Sequence, residues 1–401
     1  MTRIIDGPKS WQRLVIALLI AIVANIGIWA NVLVMPAIEA EFHSGRAETA
    51  LAYTLTMIGF GLGNVAMGRV MDRLGITLAL VAGSIIVGLS FTFAASAGSL
   101  LLVAIAHLFL GIGTAVGFGP LIADISHWFE RKRGIAVAII ASGNYLSGAI
   151  WPPMLTDMLI ESGWRDVYFF LGVMVVVMTL PLSLALRGRP DAETRNNSSN
   201  ISSDGLAQCT IRGRDLQWLL GIAGICCCVA MSMPQIHIVA YCVGLGYGPA
   251  IGAELLSVML ACGVISRLMF GFLADQIGGI RTLMISSGLQ MVSLFFFLPF
   301  NGLVSLYVVS AVFGLSQGGI VPSYALVVRE FLPAREAGER VGLVLMMTVF
   351  GMGLGGWMSG LIFDFTGSYK MAFLNGAAWN MINLSIMGWL LIRLKMRPTS
   401  R

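Results

Sequence analysis

The sequence is poor in charge. Only 11% of its 401 residues are charged, whereas 57% are hydrophobic, and the mean hydropathy is +0.86. A soluble domain carries roughly 25% charged residues, so this composition excludes a soluble globular protein and indicates a membrane protein.

Several chemical signatures are also missing. The sequence has no Gly-rich loop that ends in Lys-Ser or Lys-Thr, which argues against ATP-driven pumping. No nucleophile with a base and no metal-ligating set falls at one depth, so we predict no enzyme, no metal site and no cofactor. The six cysteines include Cys226, Cys227 and Cys228, whose side chains point apart on a helix and cannot close on one ion.

What the sequence has instead is a series of apolar runs. A spanning helix needs about 20 apolar residues, and twelve such runs are separated mostly by short loops. We therefore predict an all-α membrane protein with twelve transmembrane helices in a lipid bilayer. The runs cover residues 14–36, 48–70, 77–98, 100–123, 134–156, 165–186, 216–241, 250–273, 281–300, 303–327, 341–362 and 371–393.

The basic residues are unevenly distributed between the two sides of these runs. Of the 25 Lys and Arg residues, Arg46, Arg165 and Lys370 fall on one side, Arg267 falls within a run, and the other 21 fall on the side of the termini. Basic loops stay in the cytoplasm, so both termini are predicted to be cytoplasmic. The net charge of +5 is then a topology signal and gives no support to nucleic-acid binding.

The chain also repeats itself across one polar linker. Residues 187–215 are rich in Asn, Ser and Gly, which is typical of a flexible connection. The segment from Gly68 to Gly75 recurs from Gly271 to Gly278, offset by 203 residues, and Gly111 recurs as Gly314 at the same offset. We predict a first six-helix bundle over 1–186, a cytoplasmic linker over 187–215 and a second bundle over 216–401.

The repeated segment carries a family resemblance. The pattern Gly68-x-x-x-Asp72-Arg73-x-Gly75, with its copy at Gly271, Asp275 and Gly278, resembles the signature of the major facilitator superfamily. Four further segments are similar to its bacterial monocarboxylate-transporter-like and oxalate/formate-antiporter-like branch. They begin with His127-Trp-Phe-Glu, Met233-Pro-Gln-Ile-His, Gly263-Val-Ile-Ser-Arg and Phe313-Gly-Leu-Ser-Gln. Animal monocarboxylate carriers have an acidic residue where this chain has Gly263.

The resemblance implies a fold, a location and a latch. It implies two pseudo-symmetric six-helix bundles in the bacterial inner membrane, active as a monomer. It also implies that Asp72 and Asp275 each reach a helix N-terminus in the opposite half, where free amide groups and the helix dipole attract a carboxylate. That contact would close the cytoplasmic side while a central cavity opens outward. The implied gating residues are Gly68, Asp72, Arg73, Gly75, Gly271, Asp275 and Gly278.

Arg267 is the strongest candidate for a substrate ligand. It lies eight positions before Asp275, about 12 Å along a helix and near the middle of a core about 30 Å thick. All 20 Asp and Glu residues fall in loops or near helix ends, so no carboxylate is predicted at its depth. A charge there costs at least about 2.5–3.5 kcal/mol, and a bound carboxylate would offset that cost. The alternatives are a packing arginine that bonds backbone carbonyls of neighbouring helices, or an arginine that reaches the cytoplasmic boundary.

Six other polar residues are candidates to line the same cavity. His107, Asn25, Asn144 and Tyr145 fall at a similar depth, His237 falls nearer the outer mouth, and Gln317 falls slightly to the cytoplasmic side of centre. His107 could carry a coupling proton because histidine titrates near neutral pH, or it could be a hydrogen-bonded packing residue. The asparagines and Tyr145 could equally join helices to one another.

These residues and the resemblance predict secondary active transport of a small organic anion, a monocarboxylate above all. Two rocking halves would open a midplane site to each side in turn. Proton symport is weakly favoured, although the missing mid-membrane acid weakens it. Anion exchange and efflux of apolar drug-like compounds are the alternatives, and a membrane receptor or enzyme is the least favoured.

Overall fold

The computed structural model describes residues 6–188, 212–332 and 337–393, with the side chains of 337–339 left aside. The described residues form helices joined by short turns. The spanning helices are α1 (Pro8–Phe42), α2 (Arg46–Leu74), α3 (Ile76–Ala95), α4 (Leu100–Ser126), α5 (Arg133–Ser162), α6 (Trp164–Ala185), α7 (Gly213–Gly244), α8 (Gly248–Ile277), α9 (Gly279–Phe296), α10 (Leu303–Phe331), α11 (Ala337–Thr366) and α12 (Tyr369–Arg393).

The predicted all-α fold of twelve membrane helices is confirmed. Eleven of these helices are long and apolar enough to cross a membrane, and the twelfth, α12, has 25 residues. Several helices extend past the predicted runs, as in α1, which begins at Pro8 rather than at residue 14. The predicted linker falls almost wholly outside the described residues, so the domain boundaries stay predictions, as does the cytoplasmic placement of the termini.

Three of the helices are interrupted where they pass close to a neighbour. Helix α1 consists of Pro8–Ala24 and Ile26–Phe42, and α4 consists of Leu100–Thr114 and Gly119–Ser126. The Asn25 amide stands at the first break and donates to Ala21 O at 2.7 Å and to Gly117 O, in the second break, at 3.0 Å. Helix α10 consists of Leu303–Gln317 and Ile320–Phe331. Asn25 therefore joins two helices inside the first bundle.

A buried ion pair also holds the first bundle together. Arg13 Nε and Nη2 donate to the two carboxylate oxygens of Asp124 at 2.8 and 2.9 Å, and the side chains are only 6% and 10% exposed. The Arg13 guanidinium also lies 4.5 Å from the ring centre of Trp128. The sequence does not predict this pair, because its members lie 111 positions apart. In the sequence Arg13 is only one of the basic residues that indicate the orientation in the membrane.

The two halves meet along α2 with α11 and along α5 with α8. We call the side where α1 begins and α12 ends the terminal face, and the opposite side the far face. Near the far face, Thr54 of α2 donates to Gly353 O of α11 at 2.9 Å. A Cβ on Gly360 of α11 would lie 2.8 Å from the backbone nitrogen of Ala47. The helices are therefore packed backbone to backbone near the far face.

Toward the terminal face the same helices separate. Beyond the glycine's own stretch of helix, no described atom lies within 4 Å of the position that a Cβ would take on Gly68 or Gly271. Asp72 and Asp275 are exposed and make no hydrogen bond or ion pair with any described residue. Among the described residues, the contact that the resemblance implies for them is absent from this conformation, which is closed at the far face. Its place in the other conformation stays a prediction.

Candidate functional site

Arg267 lies on α8, where it faces α5 of the other half. It is 8% exposed. Its Nη1 donates to Ala141 O at 2.5 Å, and its guanidinium carbon lies 4.2 Å from the ring centre of Tyr145. Its Nε is buried without a hydrogen-bond partner. Since no described carboxylate pairs with it, the cation is only partly compensated by the Ala141 carbonyl and by the ring face and hydroxyl of Tyr145.

Gly263 makes this stacking possible. It precedes Arg267 by one helical turn, and a Cβ on it would lie 2.9 Å from Cδ2 and Cε2 of Tyr145. The Tyr145 ring therefore occupies the space of the missing side chain and continues under the guanidinium. An acidic side chain at this position, which the resemblance leads one to expect, would collide with the ring as it stands.

A pair of amides borders the same turn of α8. Gln235 Nε2, from α7, donates to Gln317 Oε1, from the end of the first part of α10, at 2.5 Å. The remaining atoms, Gln235 Oε1 and Gln317 Nε2, are buried without partners. Exchanging the nitrogen and oxygen of both amides leaves the same balance of one free acceptor and one free donor. Gln317 Nε2 lies 3.5 Å from the position of a Gly263 Cβ, so the pair stands beside the Tyr145–Arg267 stack.

A tryptophan and an asparagine close the wall on the side of the first half. Trp29 Nε1, from α1, donates to the backbone oxygen of Asn144 at 2.8 Å and to its Oδ1 at 2.9 Å. The Trp29 ring also packs against Gly148, where a Cβ would lie 2.7 Å from ring atom Cδ2. These contacts fix α1 against α5 next to Tyr145. The predicted candidates Arg267, Tyr145, Gln317 and Asn144 are thus brought to one region.

The structure places His107 elsewhere, inside the first bundle. The ring is fully buried, with Nδ1 at 2.9 Å from Thr56 Oγ1 and Nε2 at 3.0 Å from Tyr168 OH. Thr56 Oγ1 already donates to Ala52 O at 2.9 Å, so it accepts from Nδ1, and Nε2 accepts from the tyrosine. A neutral ring satisfies all of these groups, as expected of a hydrogen-bonded packing residue.

His237 and Asn25 also lie away from the Arg267 cluster. His237 Nε2 donates to Gly356 O at 2.8 Å, and its Nδ1 accepts from Tyr369 OH at 3.0 Å, which joins α7 to α11 and α12. Asn25 holds the breaks of α1 and α4 together, as described above. Neither side chain forms a hydrogen bond with Arg267, Tyr145 or the amide pair.

The two signature turns have the geometry that their glycines suggest. Gly75 has φ of 95° and Gly278 has φ of 84°, in the left-handed region that disfavours any side chain. Each glycine is the single residue between the end of one helix and the beginning of the next. The turns fix the ends of α2 and α8, which carry Asp72 and Asp275.

Comparison with known proteins agrees with this architecture. The sequence profile described as Major Facilitator Superfamily matches residues 17–339 and, in a second match, residues 253–401. The chain is 28% identical over 365 residues to monocarboxylate transporter 11 of Homo sapiens, covering 85% of this chain and 74% of that protein. It is 25% identical over 359 residues to monocarboxylate transporter 13 of Rattus norvegicus, covering 87% and 81%.

A solved structure shows the same fold. A bacterial homologue of the human lysosomal transporter Spinster, in an inward-facing and occupied conformation, matches with a TM-score of 0.75 at 14% identity. The match covers 97% of this chain and 98% of that chain.

Proposed function

Because the chain belongs to the Major Facilitator Superfamily and is therefore a membrane transporter rather than an enzyme, we propose that it carries a small organic monocarboxylate, with Arg267 as the carboxylate ligand. Secondary transport is the general activity of the family. The identity of the cargo, its charge and the coupling ion are the parts that we propose here.

The observation that carries the proposal is the incomplete compensation of Arg267. Its guanidinium is buried, keeps an unpaired Nε, and has no described carboxylate within ion-pair distance. Leaving a buried charge unpaired costs several kcal/mol, on the order of 3–5 kcal/mol when a partner is removed. A carboxylate that accepts two parallel hydrogen bonds would supply the missing partner. One cation without an acid fits a cargo with one negative charge.

The amide pair supports the same cargo class. Gln235 Oε1 and Gln317 Nε2 are a buried acceptor and a buried donor without partners. Buried polar groups of this kind gain about 1–3 kcal/mol from a partner, which a polar group on the cargo would provide. Both side chains are neutral, so they do not call for a second charge on it. The names of the two monocarboxylate transporters agree with this class at 25–28% identity.

We further propose that the terminal face is cytoplasmic in the bacterial inner membrane, and that the halves rock about the Arg267 region. The distribution of basic residues supports this orientation. Proton symport and activity as a monomer stay predictions. The hydrogen bonds of His107 do not favour it as the proton carrier, so a symported proton would have to travel with the cargo or bind elsewhere.

Uptake by proteoliposomes tests the proposal. A panel of labelled monocarboxylates, dicarboxylates, amino acids and apolar drugs is compared between the wild type, Arg267→Ala and Arg267→Lys. Arg281→Ala, which removes an exposed arginine at the start of α9, is the matched control. We expect monocarboxylate uptake that Arg281→Ala keeps and Arg267→Ala loses by roughly 30-fold or more, from a cost of about 2–5 kcal/mol.

Lysine keeps the charge but not the planar fork, so Arg267→Lys should retain part of the activity. Full uptake by Arg267→Ala would overturn the role of the arginine, and uptake of apolar drugs alone would overturn the cargo class. An imposed pH gradient in the same vesicles tests proton coupling, which requires that uptake follow the gradient.

A further inference from the structure

A carboxylate of the second half caps a helix of the first half at the far face. Asp364, near the end of α11, accepts from the backbone N–H of Arg46 through Oδ1 at 2.9 Å and from that of Ala47 through Oδ2 at 2.8 Å. Arg46 and Ala47 are the first two residues of α2. Their amides have no partner within the helix and lie at the positive end of its dipole.

Two glycines bring the backbones at this contact so close that neither has room for a side chain. A Cβ on Gly45, which immediately precedes α2, would lie 2.8 Å from Asp364 Oδ2. Gly360, one turn before Asp364, lies against the backbone of Arg46 and Ala47. The small residues therefore let the carboxylate reach both amides at once.

The side chain of Arg46 also contacts residues of three other helices. Its guanidinium carbon lies 3.7 Å from the ring centre of Phe363 on α11 and 5.0 Å from that of Tyr369 on α12. Its Nε lies 3.4 Å from Glu39 Oε1 on α1. The beginning of α2 is thus the point where the two halves are joined by charge as well as by packing.

We propose that Asp364 is the latch that holds the far face closed. The proposal rests on the alternating access proposed above, in which the halves separate at this face in the other conformation. Separation withdraws the carboxylate from both amides, so the strength of this cap sets how much of the protein is open at the far face. Arg46 and Ala47 are then exposed to water.

Within the described part of the chain, the corresponding position of the first half does not form this contact. The repeat offset of 203 places Glu161, at the end of α5, in the position that corresponds to Asp364. Glu161 is exposed and makes no hydrogen bond or ion pair with any described residue. The adjoining interface of α5 with α8 is held instead by the hydroxyl of Ser257, which donates to Ala149 O. Glu161 is therefore a matched control for the loss of a carboxylate at this face.

Hydrogen–deuterium exchange of the purified full-length protein without cargo tests the latch. Asp364→Asn keeps the shape of the side chain but removes its charge and one of its two acceptors. We expect peptides at the start of α2 and the end of α11 to exchange roughly tenfold faster, given the strength of hydrogen bonds to charged groups. Peptides around Gly68–Gly75 and Gly271–Gly278 should exchange more slowly, because the terminal face closes as the far face opens. Glu161→Gln should match the wild type.

The opposite changes at the two faces are what distinguish a latch from other effects. Faster exchange at the first residues of α2 alone would reduce Asp364 to a helix cap and overturn the proposal. Faster exchange at both faces would show a loosened fold and overturn it as well, as would no change at either face. Because no cargo is present, the outcome does not depend on whether Arg267 binds a carboxylate.

Discussion

The substitution Gly263→Ala tests the stacking that shapes the candidate site. A Cβ at this position would lie 2.9 Å from two ring atoms of Tyr145, which is closer than real Cβ contacts come. The ring must move, and the Arg267 guanidinium lies 4.2 Å from the centre of that same ring. The smallest possible side chain therefore disturbs the group that we expect to support the ligand.

The size of the effect follows from three contributions. Alanine stabilises a helix interior by about 0.5–1 kcal/mol relative to glycine, whereas overpacking costs about 1–3 kcal/mol. The cation–π contact that is weakened contributes about 0.5–2 kcal/mol. We expect a net loss of stability of about 0–2.5 kcal/mol and a fall in the affinity for the organic anion of roughly 2- to 30-fold.

The assay is equilibrium binding of a labelled monocarboxylate to the purified protein, with thermal stability measured on the same samples. Gly288→Ala in α9 is the control, because Gly288 is also a helical glycine and no described atom beyond its own stretch of helix lies within 4 Å of its Cβ position. Both variants gain the same helix propensity, so their difference isolates the clash with Tyr145. Wild-type affinity in Gly263→Ala would refute the claim that the ring supports the arginine.

Two further predictions concern stability. Asp124→Asn leaves Arg13 buried without its carboxylate and should cost about 3–5 kcal/mol in unfolding free energy, measured by denaturant titration in micelles. Glu41→Gln, which breaks an ion pair with Arg165 whose side chains are 40% and 36% exposed, should cost less than about 1 kcal/mol, and equal losses would contradict the argument from burial. Burial alone would raise the pKa of Asp6, but the N–H groups of Arg131, Lys132 and Glu130 hold its pKa below the ordinary 3.8. The hydrogen bonds from these three N–H groups to the Asp6 carboxylate should therefore be intact above pH 3.8. They should be lost as the pH falls through the lower pKa that Asp6 has in the folded protein. Amide exchange at residues 130–132 checks this, and loss of protection above pH 3.8 would contradict it.

The number of helices and the position of Arg267 could be predicted from sequence because each depends on local properties. A run of apolar residues defines a spanning helix without knowledge of its neighbours. The depth of Arg267 follows from counting residues along one helix to Asp275. That acids keep to loops and helix ends is likewise visible in the sequence, and no described carboxylate pairs with Arg267.

The partners of these residues could not be predicted, because they depend on how helices face one another. Gln235 lies two positions before the predicted site residue His237, yet its hydrogen-bond partner Gln317 is 82 positions away in the sequence. In the sequence Trp29 is an ordinary membrane aromatic, and only its hydrogen bonds to Asn144 connect it with the site. A polar residue within an apolar run, as Gln235 is, was the one signal that could have identified it.

Depth along a helix does not fix the direction in which a side chain such as that of His107 points. A residue at the right depth can point into its own bundle as well as into the central cavity, and His107 points toward Thr56 and Tyr168. Asn25 shows the same ambiguity, since its amide satisfies two broken helices. Rotation about the helix axis, which hydrophobicity could not fix for these helices, decided both cases.

Arg267→Met tests the central claim most directly, because methionine fills similar space without charge. If the role of Arg267 is to bind a carboxylate, removing its incompletely paired charge should raise the unfolding free energy of the cargo-free protein by on the order of 1 kcal/mol or more. The same substitution should abolish monocarboxylate binding. Both quantities are measured on one preparation, by denaturant titration and by equilibrium binding. A variant that is less stable than the wild type and still binds monocarboxylate would contradict the account and make Arg267 a packing residue.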